Sequence, residues 1–139
     1  MQFPGLDYCR AKMRAACTGT DGAATIEAVI WLPAFFAIFA LITDASTIFG
    51  RESQVLRVIQ DANRNLSTGY FATVADARRD ITARIGWISP NAVVTTRVVG
   101  NLITTSVAMP LTDITSTGLV AAFSSGSVTV SANHVKEEE

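Results

Sequence analysis

The sequence predicts an α+β protein with a long amino-terminal helix that is partly transmembrane, a short second helix and a small antiparallel sheet of about three strands. Three observations support this prediction. An apolar run occupies residues 23–43, and apolar residues continue beyond it at helical spacing. Nearer the carboxyl end, β-branched residues alternate with polar ones and flank a turn signal.

The apolar run is long enough to cross a bilayer. No charged residue occurs from Ala28 to Thr43, and the small residues from Ala23 extend the run to the roughly 20 residues that a spanning helix needs. Arg10, Lys12 and Arg14 precede the run, and basic residues favour the cytoplasmic side. We therefore expect a single-pass protein with its amino terminus in the cytoplasm; in a bacterial inner membrane, the location that we expect, its carboxyl-terminal domain lies in the periplasm.

The helical pattern continues past the apolar run. One apolar stripe recurs at spacings of three, four or seven residues, formed by Ile48, Val55, Ile59, Ala62 and Leu66. This predicts one helix from about Ala23 to Leu66, half in lipid and half projecting outward. The predicted organisation is a basic leader at 1–22, a transmembrane helix at 23–44 and a periplasmic α+β domain at 45–139 that includes the continuation of the helix.

A short helix and a hairpin are predicted within the outer domain. Thr73 to Gly86 has a capping threonine at its start and a glycine at its end. Gly100-Asn101 signals a two-residue hairpin turn. With that turn, the facing pairs are Val98–Ile103, Thr96–Thr105 and Val94–Val107, and they share one mostly apolar face.

A third strand and a long connection complete the predicted domain. Ser127 to Val135 repeats the alternation, with Val128, Val130 and Ala132 expected to face inward. The connection spans Pro110 to Gly126, and the residues expected to anchor it in the core are Leu119, Val120 and Phe123.

Composition excludes several function classes. The formal net charge of −1 gives no basic balance for binding nucleic acid. Both cysteines, Cys9 and Cys17, stand in the basic head, so the outer domain must be stable without disulfides. His134 is the only histidine, and no nucleophile elbow, Walker loop or metal-binding motif is present. We expect no enzyme activity, no cofactor and no metal site.

The start of the apolar helix resembles a known processing site. Residues 22–27 read GAATIE, so a glycine precedes a glutamate by five positions, and a short basic leader stands before them. This combination is similar to the cleavage site of type IV pilin-like proteins. The longer stretch through Arg64 resembles TadE-like minor pseudopilins of the tight-adherence (Tad/Flp) pilus, a likeness carried also by Leu32-Pro33 and by Asp-Ala-Ser at 44–46.

The resemblance covers residues 10–66 well, and beyond them only the layout and the acidic ending match. Major pilins of this system usually have tyrosine after the glutamate. Ala28 occupies that position here, which favours a minor pseudopilin.

The resemblance implies specific roles for four residues. A prepilin peptidase would cut between Gly22 and Ala23, and the new ammonium would lie one helical turn from Glu27. The Glu27 carboxylate would pair with its own terminus or a neighbour's, which offsets the cost of a carboxylate in hydrocarbon. Pro33 would kink the helix. The implied partners are the peptidase, other minor pseudopilins, the major pilin, the inner-membrane assembly platform and the lipid bilayer.

Several alternatives remain open from the sequence. The first alternative to the minor pseudopilin is a single-pass, membrane-anchored periplasmic binding or interaction protein that keeps its leader. An ordinary signal peptidase cutting near Ala45 would instead release a secreted domain. A simpler explanation for Glu27 is that its side chain extends to the cytoplasmic headgroups. Pro33 is alternatively a structurally neutral residue.

Overall fold

The computed structural model describes residues 21–136, with side chains described from Thr25. Most of the predicted leader, including both cysteines, therefore lies outside the described residues. Two units are distinguished, one ending at Phe39 and the other beginning at Ala40. The elements, in chain order, are α1 (Asp21–Ser67), α2 (Val74–Ile85), β1 (Val93–Val99), β2 (Leu102–Pro110), α3 (Leu111–Ile114), α4 (Leu119–Phe123) and β3 (Ser127–Val135).

The predicted α+β class is confirmed, with the long helix, the short helix and one three-stranded sheet all present. Helix α1 continues through Pro33 and beyond the apolar run, as the periodicity predicts. Within the first unit its apolar side chains are exposed, including Trp31, Phe35 and Phe36. From Thr25 the helix contains an 18-residue window of mean hydropathy 2.2, none of it buried. This helix is therefore long and apolar enough to serve as a membrane anchor.

The second unit has one apolar core. The stripe of α1 enters it through Val55, Ile59 and Ala62, which have no solvent exposure. These side chains belong to one cluster with residues of α2, the loop after it, the three strands and α3, including Ile81, Ile85, Ile88, Val94, Val107, Met109, Ile114 and Val130. The apolar stripe of the helix and the apolar face of the sheet thus bury each other.

Helix α2 matches its predicted ends. The Thr73 hydroxyl oxygen accepts a hydrogen bond from the Asp76 backbone N–H at 3.2 Å, which satisfies a donor that the first turn leaves free. Ala77, Ile81 and Ile85 are buried on one face. Gly86 ends the helix in the right-handed region, with φ −57°, so this position does not require glycine for its backbone.

The sheet has the order β1-β2-β3 and is antiparallel throughout. All three hairpin pairs predicted from the sequence are confirmed, including Val98 opposite Ile103. Gly100 has a positive φ of 58° and Asn101 does not, which is typical of a turn with glycine at its first central position. The inward positions predicted for β3 are also confirmed, with Val130 buried and its two neighbours on that face half-buried.

The connection between β2 and β3 differs from the prediction. Phe123 was expected to anchor it, yet 84% of its surface is exposed. Leu111 and Ile114 enter the core instead, because α3 begins directly after β2 and places both on its inner side. Of the other two expected anchors, Val120 is half-buried and packs against the core, as predicted, whereas Leu119 is half-buried and is not part of that cluster.

Candidate functional site

The processing-site residues lie in the first turns of α1. The helix begins at Asp21, so the Gly22–Ala23 bond has helical backbone in this structure. A protease requires extended backbone, so cleavage there would require the first turn to unwind. The first turn of a helix lacks part of its hydrogen bonding and frays readily. Glycine lowers the cost of leaving helical geometry further.

Glu27 lies one helical turn after Ala23 on the same helix, so the two positions share a face. Its side chain is exposed, and the side chains along the adjoining surface of the helix are Trp31, Leu32 and Phe35. Within the described residues no ion pair reaches Glu27. The structure therefore presents the Glu27 carboxylate on an apolar helix surface, one turn from Ala23.

Pro33 is exposed and lies inside α1. It removes the backbone N–H that a helix would direct to Val29 one turn earlier. The helix continues on both sides of it, and the predicted kink remains a prediction. His134 lies in β3 opposite Ile103. No group of three metal-binding side chains occurs among the described residues.

Asp44 carries a structural role that the sequence did not reveal. It is the first fully buried side chain along α1 from Thr25 onward. Its Oδ1 accepts the backbone N–H groups of Ser116 at 2.9 Å and Thr117 at 2.6 Å. Its Oδ2 accepts the N–H of Val120 at 3.1 Å, in the first turn of α4. The carboxylate thereby fixes the β2–β3 connection to α1 through charge-assisted hydrogen bonds.

Gly118 makes this arrangement possible. Its φ of 74° lies in the left-handed region, which glycine adopts at little cost. The chain therefore reverses between Thr117 and Val120, and three backbone N–H groups converge on one carboxylate. The available sequence signal was an acidic residue directly after a charge-free run, together with the Ser-Thr-Gly cluster at 116–118.

A second polar cluster fastens the same connection to the loop after α2. Asp113 accepts hydrogen bonds from the Ser89 hydroxyl at 2.7 Å and from the Asn91 backbone N–H at 3.1 Å. The Ser89 hydrogen bond lowers the pKa of Asp113 below its ordinary value, against the opposing effect of burial. The Arg51 guanidinium of α1 donates to the Ile88 carbonyl at 3.1 Å and to the Asp113 backbone carbonyl. Arg51 is therefore a structural contact of the helix.

A third cluster joins the far part of α1 to the sheet. Buried Asn63 donates its Nδ2 to the Ala132 carbonyl of β3 at 3.2 Å. The Thr105 hydroxyl of β2 donates to Asn63 Oδ1 at 2.6 Å, and it shares a 3.0 Å hydrogen bond with the Thr96 hydroxyl of β1. One helix residue thus contacts β2 and β3 directly and β1 through Thr105.

Together these features define a class of protein: a small α+β unit carried on a helix whose first part has the length and composition of a membrane anchor. The helix is also the part of the chain that is similar to a known family. The family model described as TadE-like protein matches residues 22–64, so the resemblance read from the sequence is confirmed over this segment. The match is confined to the first part of α1 and its continuation, and it does not reach α2 or the sheet. Neither the curated proteins nor the solved structures gave a match to the chain.

Proposed function

We propose that this chain is the precursor of a minor pseudopilin that takes part in assembling or priming a Tad/Flp adhesion pilus. The match of residues 22–64 to the TadE-like family carries the proposal. Its membrane-anchor composition supports insertion in the bacterial inner membrane with the α+β unit in the periplasm. The chain acts as a substrate of processing and as an assembly component, with no catalysis of its own.

In this proposal a prepilin peptidase cleaves between Gly22 and Ala23. Cleavage creates an ammonium at Ala23, one turn from Glu27. A lone carboxylate in hydrocarbon costs at least about 2 kcal/mol, and pairing with an ammonium offsets that cost. If the ammonium belongs to a neighbouring subunit, the pairing fixes the stagger between helices. The partners are then the peptidase, other minor pseudopilins, the major pilin and the assembly platform.

Co-expression with the peptidase tests the processing step. We expect the chain to lose its first 22 residues only when active peptidase is present. Gly22→Ala should abolish or strongly slow this loss. Gly50→Ala is the matched control, because a methyl group at Gly50 meets no atom within 4 Å and that glycine lies deep in α1. An unprocessed wild-type chain, or equal processing of the Gly22→Ala chain, would contradict the proposal.

Pilus counts in cells test the assembly role. Deleting the gene should remove or sharply reduce the pili, and the wild-type chain should restore them. Glu27→Gln should process normally and restore few pili, because its amide cannot pair with an ammonium as a charge. Glu52→Gln is the control, because it makes the same substitution at a half-buried glutamate in the second part of α1. Full restoration by Glu27→Gln would refute the pairing role.

A further inference from the structure

We propose that the β2–β3 connection, residues 115–126, rests in the headgroup region of the lipid bilayer and inserts Phe123 as a second membrane contact beside the apolar helix. This inference depends on the membrane anchoring of α1 in the proposed function. It assigns a role to a part of the chain that the family match does not cover.

The position of the connection along α1 is the first step. At Asp44 the helix contacts residues 116–120 of the connection. Further along, Asn63 contacts Ala132 in β3. At Leu66 the helix lines a groove together with Val98, close to the hairpin turn. The sheet therefore runs along the helix, and the connection lies at the end of the second unit where the helix enters it.

The second step concerns the helix at that same end. Leu41 and Ile42 are exposed apolar residues of the second unit, and the charge-free run ends at Thr43. Asp44 follows at once and is completely buried beneath the connection. The connection is thus fixed within one helical turn of the outer boundary of the anchor. The connection is therefore held close to Leu41 and Ile42, the exposed apolar residues of the second unit just before Asp44.

The third step is the chemistry of the connection. No aspartate, glutamate, lysine or arginine occurs from Ile114 to Val135, which includes residues 115–126, the part of the connection that follows Asp113 and α3. Phe123 follows Val120 by one turn of α4 and is 84% exposed. Phenylalanine is one of the apolar side chains that interfacial segments bury at the boundary between headgroups and acyl chains. No charge has to be dehydrated when this surface approaches lipid.

Tryptophan fluorescence in lipid vesicles tests the inference on the full chain. Three variants each carry one tryptophan. The first is Trp87→Phe, which keeps Trp31 in the anchor. The second adds Trp31→Phe and Phe123→Trp. The third replaces both native tryptophans in the same way and carries Tyr70→Trp, a control at an exposed residue (78%) shortly after the end of α1.

Each variant is reconstituted in phosphatidylcholine vesicles whose acyl chains carry bromine, which quenches tryptophan on contact. We expect strong quenching of Trp31. Bromines placed near the headgroups should quench the emission of the Phe123→Trp chain, as expected for an insertion of about 5–10 Å. Its emission maximum should also lie at a shorter wavelength than that of a tryptophan exposed to water. The Tyr70→Trp chain should keep its full emission.

The outcomes separate the inference from the proposed function. Quenching of Trp31 without quenching of the Phe123→Trp chain would overturn the inference and leave the anchor intact. Absence of quenching in both would overturn the anchor and the inference together. Protection of the Phe123→Trp chain from aqueous acrylamide without bromine quenching would show that a protein covers this surface, which also overturns the inference.

Discussion

The Asn63–Thr105 hydrogen bond gives the sharpest test of how the long helix is joined to the sheet. Both side chains are buried, with exposures of 1% and 0%. Thr105→Val removes the hydroxyl that donates to Asn63 Oδ1 and leaves that oxygen without its short hydrogen bond. A buried acceptor that loses its partner costs about 1–3 kcal/mol. We expect Thr105→Val to lower the free energy of unfolding of the second unit by that amount.

The double variant makes the reasoning falsifiable. Asn63→Leu alone leaves the Thr105 hydroxyl and the Ala132 carbonyl with one partner fewer, which should cost a similar amount. Changing both Asn63 and Thr105 removes donor and acceptor together, so the combined loss should fall short of the sum by about 1 kcal/mol or more.

Native-state hydrogen exchange of the β2 and β3 amides, on the full chain in mild detergent, measures these free energies. Thr104→Val is the matched control, since Thr104 is half-buried on the opposite face of the same strand and should change stability by no more than about 0.5 kcal/mol. Equal effects of Thr104→Val and Thr105→Val, or fully additive losses in the double variant, would refute the assigned network.

Three further predictions concern the core, the Asp44 contact and acid stability. Ile59→Ala should lower the free energy of unfolding by about 2–5 kcal/mol, because it opens a cavity at a side chain with no solvent exposure. Gln60→Ala, on the exposed side of α1, should leave that free energy nearly unchanged; a urea titration measures both. Asp44→Asn should speed exchange of the backbone amides at 116, 117 and 120, because the amide nitrogen cannot accept a hydrogen bond; Asp61→Asn, at an exposed ion pair, should leave those amides unchanged. The pKa of Asp113 is lowered in the folded state, so its contribution to stability is present above the ordinary pKa of about 4 and is lost as the pH falls through the lower folded value. Asp113→Asn should therefore flatten the loss of stability below about pH 4 in an acid titration, and an unchanged acid dependence would contradict this assignment.

The sheet and both main helices were predictable because each has a local signal. The stripe through Val55 and Ile59 repeats at helical spacing, and the glycine-asparagine turn fixes a register in which polarity and pairing agree. The hairpin register placed Thr105 on the apolar face, but its hydrogen bond to Asn63 was not predictable, because the two residues are 42 positions apart in the chain.

The connection between β2 and β3 was the main failure, and its cause is physical. Asp44 accepts hydrogen bonds from backbone N–H groups more than 70 residues away. Nearly every residue has a backbone N–H, so the residue type does not reveal which of them donates. Phe123 is apolar yet exposed, since hydrophobicity alone does not determine which side chains reach the core. The processing site, by contrast, was predicted from the motif at residues 22–27. Cleavage by a peptidase tests it, and the fold of the α+β unit does not.

Mass spectrometry of the chain extracted from the membranes of its own cells tests the central claim most directly. The proposed function predicts a chain that begins at Ala23, with the ammonium that Glu27 requires. A chain that still carries the residues before Ala23, or one that begins near Ala45, would contradict it.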